Sequence, residues 1–246
     1  MIDEMKKAYF IAKKDMGAYY LKPPLISWGL MLPIVFVLAF YFRNPTGIKE
    51  VVPGLIGLTL LFSCTSMAAI VITFEKRIGA LERLLLAPLA IRTILFGKAL
   101  GSTVFGLVIT LVITIFLIPI IGLSIKHLFS FVLIIILSGI AFSLLGILIS
   151  VGVKEVFEAM TMSNFFRFPM IFLCGVFFPV SGMPYPLPII SYLLPLTYTV
   201  DGLKHCLLEE KGTIPLYLDL LILLGFVLLL FSLSLFIFKK RIRQEF

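Results

Sequence analysis

The sequence predicts an all-α integral membrane protein with six transmembrane helices, and three observations carry that fold class. Of the 246 residues, 61% are hydrophobic and only 14% are charged, against about 45–50% and about 25% in a soluble domain. Six apolar runs cover 25–42, 51–74, 99–121, 128–153, 160–180 and 216–238, each near the roughly 20 residues that cross a bilayer as a helix. The basic residues gather beside these runs, mostly beside alternate connections. One transmembrane domain therefore occupies 1–246. It begins with an interfacial helix over 1–24 and carries a broken, re-entrant helical pair over 181–215 before the last span.

At the N-terminus Met5, Ala8, Tyr9, Ala12, Met16, Tyr19 and Tyr20 recur three and four apart, with Lys6, Lys7, Lys13 and Lys14 largely off that stripe. This is the pattern of a helix lying on anionic headgroups. Pro23 and Pro24 stop it. Trp28, Tyr41 and Phe42 lie toward the ends of the first span, where aromatic rings favour the interface. Thr59, Ser63, Ser66 and Thr73 line one face of the second span, either to bond a neighbouring helix or to line a route. Gly97 and Gly101 at the third span, and Gly139, Ser143, Gly146 and Ser150 on the fourth, let another helix approach closely. The sixth span is rich in Leu and Phe all round and is expected to face lipid.

Between the second and third spans, residues 74–98 form the long charged interruption. A helix is expected over 75–88, with Ile78, Leu81 and Leu85 on its apolar face and Glu75 and Glu82 seven apart on another. Pro88 ends it, because proline lacks the donor of the next turn. Such a helix either rests at the headgroups or docks a cytosolic partner that acts on it. The proline-broken segment 181–215 is too long for a turn and too apolar for a solvated loop. Pro184, Pro186, Pro188 and Pro195 divide it into two short helices that either dip partly into the outer leaflet under protein cover or form an amphipathic hairpin on the surface.

With alternating spans, fifteen Lys and Arg fall beside one surface and five beside the other, Arg167 lying inside the fifth span. The crowded side holds both termini and the 74–98 loop, so these are cytosolic in a cell-membrane protein. The net charge of +8 is thus a topological signal, and nucleic acid is not an expected partner. Cys64, Cys174 and Cys206 form no C-x-x-C pair, so neither a metal site nor a disulfide framework is expected. The first twenty residues carry charges throughout, unlike a cleavable signal peptide. Gly97-Lys98 has Arg92 and Ala99 where a nucleotide-binding loop needs glycine and a hydroxyl. His127 and His205 stand at span ends without an intramembrane Ser or Asp partner, which argues against a hydrolase. Ionisable groups inside the spans are scarce, which argues against an ion-coupled carrier. Arg167 either snorkels to the cytosolic surface or lines a vestibule.

Two regions resemble the ABC-2 type transporter permeases, the membrane subunits of ATP-driven exporters. The first is Phe74-Glu75-Lys76-Arg77, Gly79, Leu81-Glu82-Arg83-Leu84, Pro88 and Gly97-Lys98. The second is Pro169, Cys174-Gly175-Val176-Phe177-Phe178-Pro179, Met183-Pro184, Leu194-Pro195-Leu196-Thr197-Tyr198 and Asp201-Gly202-Leu203-Lys204. Ala80 and Ala87 replace hydroxyl residues of the family pattern, Cys174 stands where serine is frequent, and Lys204 where arginine is frequent. The resemblance implies a permease dimer, most simply of identical copies, seated on two copies of a separate cytosolic ATPase that binds Mg-ATP; this chain needs no cofactor and has no catalytic residue. It implies a coupling helix carrying Glu75, Arg77, Gly79, Leu81, Glu82 and Pro88. It also implies a route between second and fifth spans at Phe62, Ser66, Phe165, Arg167 and Phe172, closed outside by Gly175, Phe177, Phe178, Pro179, Pro195 and Tyr198. The phenylalanine lining suits a lipid-like or amphipathic substrate. A polysaccharide or lipid-linked glycan is a second cargo class, disfavoured by the single Trp. A non-transporting membrane anchor or sensor is the reading from another class.

The topology is checked by single-cysteine labelling in a background without native cysteines. Ala80→Cys or Arg243→Cys should label only after permeabilisation, and Gly47→Cys or Lys211→Cys in intact cells. Labelling of Ala80→Cys in intact cells would reverse the orientation.

Overall fold

A computed structural model describes residues 2–20, 31, 34–40, 42, 47–208 and 212–245 of the chain. The described residues contain helices and connections but no strand. The helices are α1 (Ile2–Asp15), extended by a π-helical turn at Met16–Tyr20, α2 (Ile48–Arg77), α3 (Ala80–Leu86), α4 (Ile91–Ile121), α5 (Leu128–Gly152) and α6 (Val156–Leu173). A 3-10 turn at Val180–Gly182 leads to α7 (Leu187–Tyr192), α8 (Pro195–Leu207) and α9 (Leu216–Glu245). Four helices are long and apolar enough to cross a membrane: Ile48–Arg77, Ile91–Ile121, Leu128–Gly152 and the Leu216–Lys240 part of α9. The predicted first span, 25–42, lies largely outside the described residues; its described part, residues 34–40 with 31 and 42, is helical.

The fifth apolar run is shorter than its hydropathy suggests. The helix starts earlier, where a capping box between Glu155 and Glu158 satisfies its first amides. It stops at Leu173, not at 180, because Gly175 takes φ +76°, a left-handed turn that glycine makes without a Cβ penalty. The expected broken pair is present as α7 and α8, each opened by a proline in its first turn. α4 begins about two turns before the expected residue 99. Its first turns carry Arg92 and Lys98 yet are covered by α1, which buries Thr93, Ile94, Leu95 and Lys98. It ends at Gly122, φ +68°, where Leu123 N–H bonds back to the Ile118 carbonyl at 3.0 Å.

α2 is the central helix and packs against α4, α5, α6 and α8, while α9 lies outside on α5 and α8. Lipid is as apolar as leucine, so close packing rather than hydrophobic transfer holds such helices together. The small-residue face of α5 serves that purpose. A Cβ at Gly146 would stand 2.5 Å from the Thr65 carbonyl oxygen and 2.8 Å from Ala68 Cβ on α2. Thr103 on α4 donates to Ser143 Oγ at 2.9 Å. On α2, Thr59 and Thr73 bond back to the carbonyls of Leu55 and Ala69 at 2.8 Å. Thr59, Ser63 and Thr73 are buried, and only Ser66 keeps partial exposure. That stripe is a packing face.

Gly97 and Gly101 also admit a helix, but the helix is α1. A Cβ at Gly97 would lie 2.9 Å from both the Ala8 carbonyl oxygen and Ile11 Cβ. The buried face of α1 is therefore Ala8, Ile11, Ala12 and Asp15, whereas Met5 and Tyr9 of the predicted stripe point outward.

Gly146→Ala should lower the melting temperature of the detergent-purified protein, by about 1–3 kcal/mol of overpacking. Gly225→Ala, with nothing within 4 Å of the added methyl, should leave it unchanged or raise it through helix propensity. Equal melting temperatures would mean that α5 and α2 do not meet at Gly146.

Candidate functional site

The segment between α2 and α4 is two pieces rather than one helix over 75–88. α2 runs on to Arg77, and Gly79 then turns the chain at φ +68° before α3 begins. After Leu86 the backbone at Ala87 is extended, as a residue before proline requires, so Pro88 ends α3 as expected. Leu81 is buried in the main core cluster. Glu82, Arg83, Leu86 and Pro88 are exposed, Leu86 by 78%. Arg77 is exposed and 3.9 Å from the Glu155 carboxylate, a pair worth little in water. The turn at Gly79 takes Glu75 and Glu82 off any common face.

Glu75 is directed inward. It is fully buried and accepts from Lys14 Nζ at 2.6 Å and from Lys98 Nζ. Lys98, 1% exposed, also reaches Asp15 Oδ2 at 2.8 Å, and Lys14 lies 3.2 Å from Asp15 Oδ1. Two lysines and two carboxylates thus neutralise one another where α1, α2 and α4 meet. Burial pushes the Asp15 carboxyl above its ordinary range, with Lys98 opposing it. Burial pulls Lys14 down, but Glu75 and Asp15 together hold it above the ordinary lysine value. Glu75 therefore offers no surface to a partner, and Lys14 is not a headgroup lysine. Asp15 and Lys98 were legible only as charges beside apolar runs that lacked visible counter-charges.

The expected route residues divide into two sets. Arg167 is 4% exposed and does not snorkel. Its Nε donates to Thr65 Oγ1 at 2.7 Å, and its guanidinium lies 4.9 Å from the centre of the half-buried Phe62 ring. Phe165 and Phe172 are exposed on a different face of α6, by 70% and 57%. Ser66 stays half-buried on α2.

At the other end of the helices, Gly175, Phe177, Phe178 and Pro179 line a cavity of about 310 Å³ together with Glu50 and Lys204. Phe177 stacks on Phe40 at 5.1 Å, and Lys204 Nζ donates to the Gly175 carbonyl at 3.1 Å. Burial draws the Lys204 ammonium below the ordinary lysine value, against Asp201 and Glu50. Pro195 and Tyr198 are buried and are not among the residues lining this cavity; Tyr198 Oη donates to the Tyr192 carbonyl at 2.7 Å. His205 does have carboxylate neighbours: one ligand atom each of His205, Asp201 and Asp219 lie within 4.8 Å of one another. Buried ionisable groups are accordingly more numerous than hydropathy suggests, at Glu75, Lys98, Arg167 and Asp219.

Lys98→Met should cost about 3–5 kcal/mol, because it strands two buried carboxylates on one lysine. Thermal unfolding should show the loss, and limited proteolysis should cut α1 faster. Adding Glu75→Gln to Lys98→Met should recover part of it. Unchanged stability and protection in Lys98→Met would mean that the charges do not hold α1.

Residues 7–208 match the profile of the ABC-2 type transporter family. The chain is 24% identical over 216 residues to the inner membrane transport permease YadH of Escherichia coli K12, covering 82% of this chain and 84% of YadH. It is 24% identical over 217 residues to the probable multidrug ABC transporter permease YbhS of the same organism, covering 85% of this chain and 57% of YbhS. With the putative transport permease ycf38 of Cyanophora paradoxa it shares 26% over 202 residues, covering 74% and 68%. The match spans α1 to α8 and with them the charged junction, α3 and the far cavity, and the chain belongs to the ABC-2 type transporter family as a multi-pass membrane transport permease.

Proposed function

We propose that this permease is the membrane subunit of an exporter and moves a lipid-like or amphipathic substrate, driven by ATP hydrolysed in a separate cytosolic subunit. The observation that carries the reading is α3. A short helix is isolated between the Gly79 turn and Pro88, anchored inward by Leu81, and presents Glu82, Arg83 and Leu86 to the outside. The basic-residue count assigns that surface to the cytosol. An exposed leucine flanked by an acid and a base suits a partner's cleft better than water. The chain itself carries no G-x-x-x-x-G-K-[ST] sequence, so Mg-ATP belongs to the partner, in two copies under a permease dimer.

The route we assign runs past α2 and α6. The exposed phenylalanines of α6, Phe165, Phe168 and Phe172, form an apolar wall for the space between two permease copies. Arg167 stands behind that wall as a brace between α6 and α2 and is not in contact with cargo. Gly175, Phe177, Phe178 and Pro179 form the outer gate at the 310 Å³ cavity, and Pro195 and Tyr198 support it from within. The relative named a probable multidrug permease favours an amphipathic cargo over a glycan.

The test is assembly and transport with the cognate ATPase. Leu86→Asp and Glu82→Ala should insert normally, yet bind the ATPase at least tenfold more weakly or uncouple hydrolysis from export in vesicles. Losing one partner of a desolvated charge pair costs about 2–5 kcal/mol. Wild-type ATPase binding and wild-type export in both variants would exclude α3 as the coupling element. Absence of any substrate-stimulated hydrolysis in the wild-type complex would favour an anchor over a transporter.

A further inference from the structure

Asp201 and His205 lie one turn apart on α8, and Asp219 lies in the first turn of α9. One ligand atom from each falls within 4.8 Å of the others. The connection between the helices folds over them. Thr213 and Ile214 amides donate to the two Asp201 oxygens at 2.9 and 2.8 Å. His205 Nε2 lies 2.6 Å from the Ile214 carbonyl oxygen. A carbonyl only accepts, so Nε2 carries the proton, and the Nδ1 lone pair accepts the Gly212 amide at 3.3 Å, a long bond that a metal ion on Nδ1 displaces. Backbone fixing of one ring nitrogen is the arrangement that orients a metal-binding imidazole.

Asp219 has no such company. Its relative exposure is 0%, and among the described residues neither carboxylate oxygen has a hydrogen-bond partner. Buried carboxylates ordinarily accept several hydrogen bonds, so this one requires a ligand or an explanation. Among the described residues no ion pair engages Asp201 or Asp219, and the neighbouring Lys204 ammonium is turned to the Gly175 carbonyl. Gly202 lets α8 pack closely here: a Cβ there would stand 2.8 Å from Ile134 and 3.6 Å from Asp219 Oδ2.

We propose that Asp201, His205 and Asp219 bind one divalent first-row transition-metal ion of the Zn²⁺ type, which fastens the 212–215 connection and α8 to the start of α9. Two carboxylate oxygens and one imidazole nitrogen are a donor set for such ions. Tetrahedral ligand bonds of about 2.0–2.2 Å set two donors about 3.3–3.6 Å apart, so the three side chains draw together from their separation of up to 4.8 Å when the ion binds. Mg²⁺, which prefers oxygen donors and retains its waters, fits it poorly. The site stands apart from α3 and from the phenylalanine wall, and its test does not depend on transport.

The experiment uses the intact permease in detergent, stripped with chelator and then equilibrated with ZnCl₂ or MgCl₂. Metal content after gel filtration should be about one Zn²⁺ per chain, and Zn²⁺ should raise the melting temperature by several degrees while Mg²⁺ does not. Asp219→Asn and His205→Gln should each weaken Zn²⁺ binding at least tenfold, whereas Asp3→Asn should bind as the wild type does. Three results would overturn the proposal: no Zn²⁺ retained by the folded wild type, full occupancy in the Asp219→Asn, His205→Gln double variant, or a higher melting temperature for Asp219→Asn with no response of the wild type to Zn²⁺. The last would identify Asp219 as a buried neutral acid instead.

Discussion

Lys98 lies about two turns inside α4 with its ammonium shut off from water, and the end of the molecule where α1, α2 and α4 meet is arranged around that charge. A lone buried ammonium costs several kcal/mol; one held by two carboxylates, themselves shared with a second lysine, does not. Asp15 comes from α1 and Glu75 from the end of α2, so neutralising Lys98 fixes three helices relative to one another. Gly97, the residue before Lys98, lets the α1 backbone come close enough for Asp15 to reach. The α3 segment leaves α2 just beyond Glu75 and returns into α4 just ahead of Lys98. Both of its ends are therefore tied to one ionic cluster, and a displacement of α3 is resisted by the same charges that hold α1.

Away from that cluster the helices hold together by proximity. Gly146 and Ser143 on α5 and Thr65, Ala68 and Thr103 opposite them bring backbones into direct contact. Some hydroxyls bond back to their own helix, as Thr59 and Thr73 do, whereas Ser63, Thr110 and Thr114 are buried with no partner among the described residues. Arg167 is handled differently: a Thr65 hydroxyl, an Asn164 carbonyl and the Phe62 ring surround it. This cation ties α6 to α2 with no ion pair among the described residues and with one terminal nitrogen, Nη2, left without a partner there, while Phe165, Phe168 and Phe172 stay exposed on another face of α6.

Local rules were readable in the sequence because their causes are local. Apolar length marks the long helices, Pro88 ends α3 through the residue before it, and the Gly-Ser face of α5 recurs at spacings of four, three and four. What could not be read depends on partners far along the chain. Glu75 looks like a surface acid because Lys98 is 23 and Lys14 is 61 residues away. Lys98 looks like a loop residue because hydropathy treats any charge as solvent-facing, and α4 is thereby started too late. Gly175 looks like part of a span until its backbone is seen to be left-handed. The Gly175–Pro179 motif was legible as a cluster, but Glu50 and Lys204, the charged wall of the cavity it lines, come from a helix start and a later helix that no spacing connects.

The two ends of the bundle treat buried charge in opposite ways. At the α1 junction acids and bases are equal in number and each carboxylate meets an ammonium. Beside the cavity at the other end, Asp201 and Asp219 share their surroundings with one histidine, and Lys204 is turned away to the Gly175 carbonyl. Backbone amides satisfy Asp201, because the connection before α9 wraps over it, but the amides of that connection do not reach Asp219. Gly202 and Gly212 permit this close wrapping: a Cβ on Gly212 would stand 2.7 Å from the His205 ring and 2.8 Å from Asp201. The packing at this end therefore brings two acids together with one histidine and, among the described residues, no ion pair to either acid. An ionised pair of acids so placed is a repulsion that opens the α8–α9 contact, and a bound cation or a proton is what turns it into an attachment.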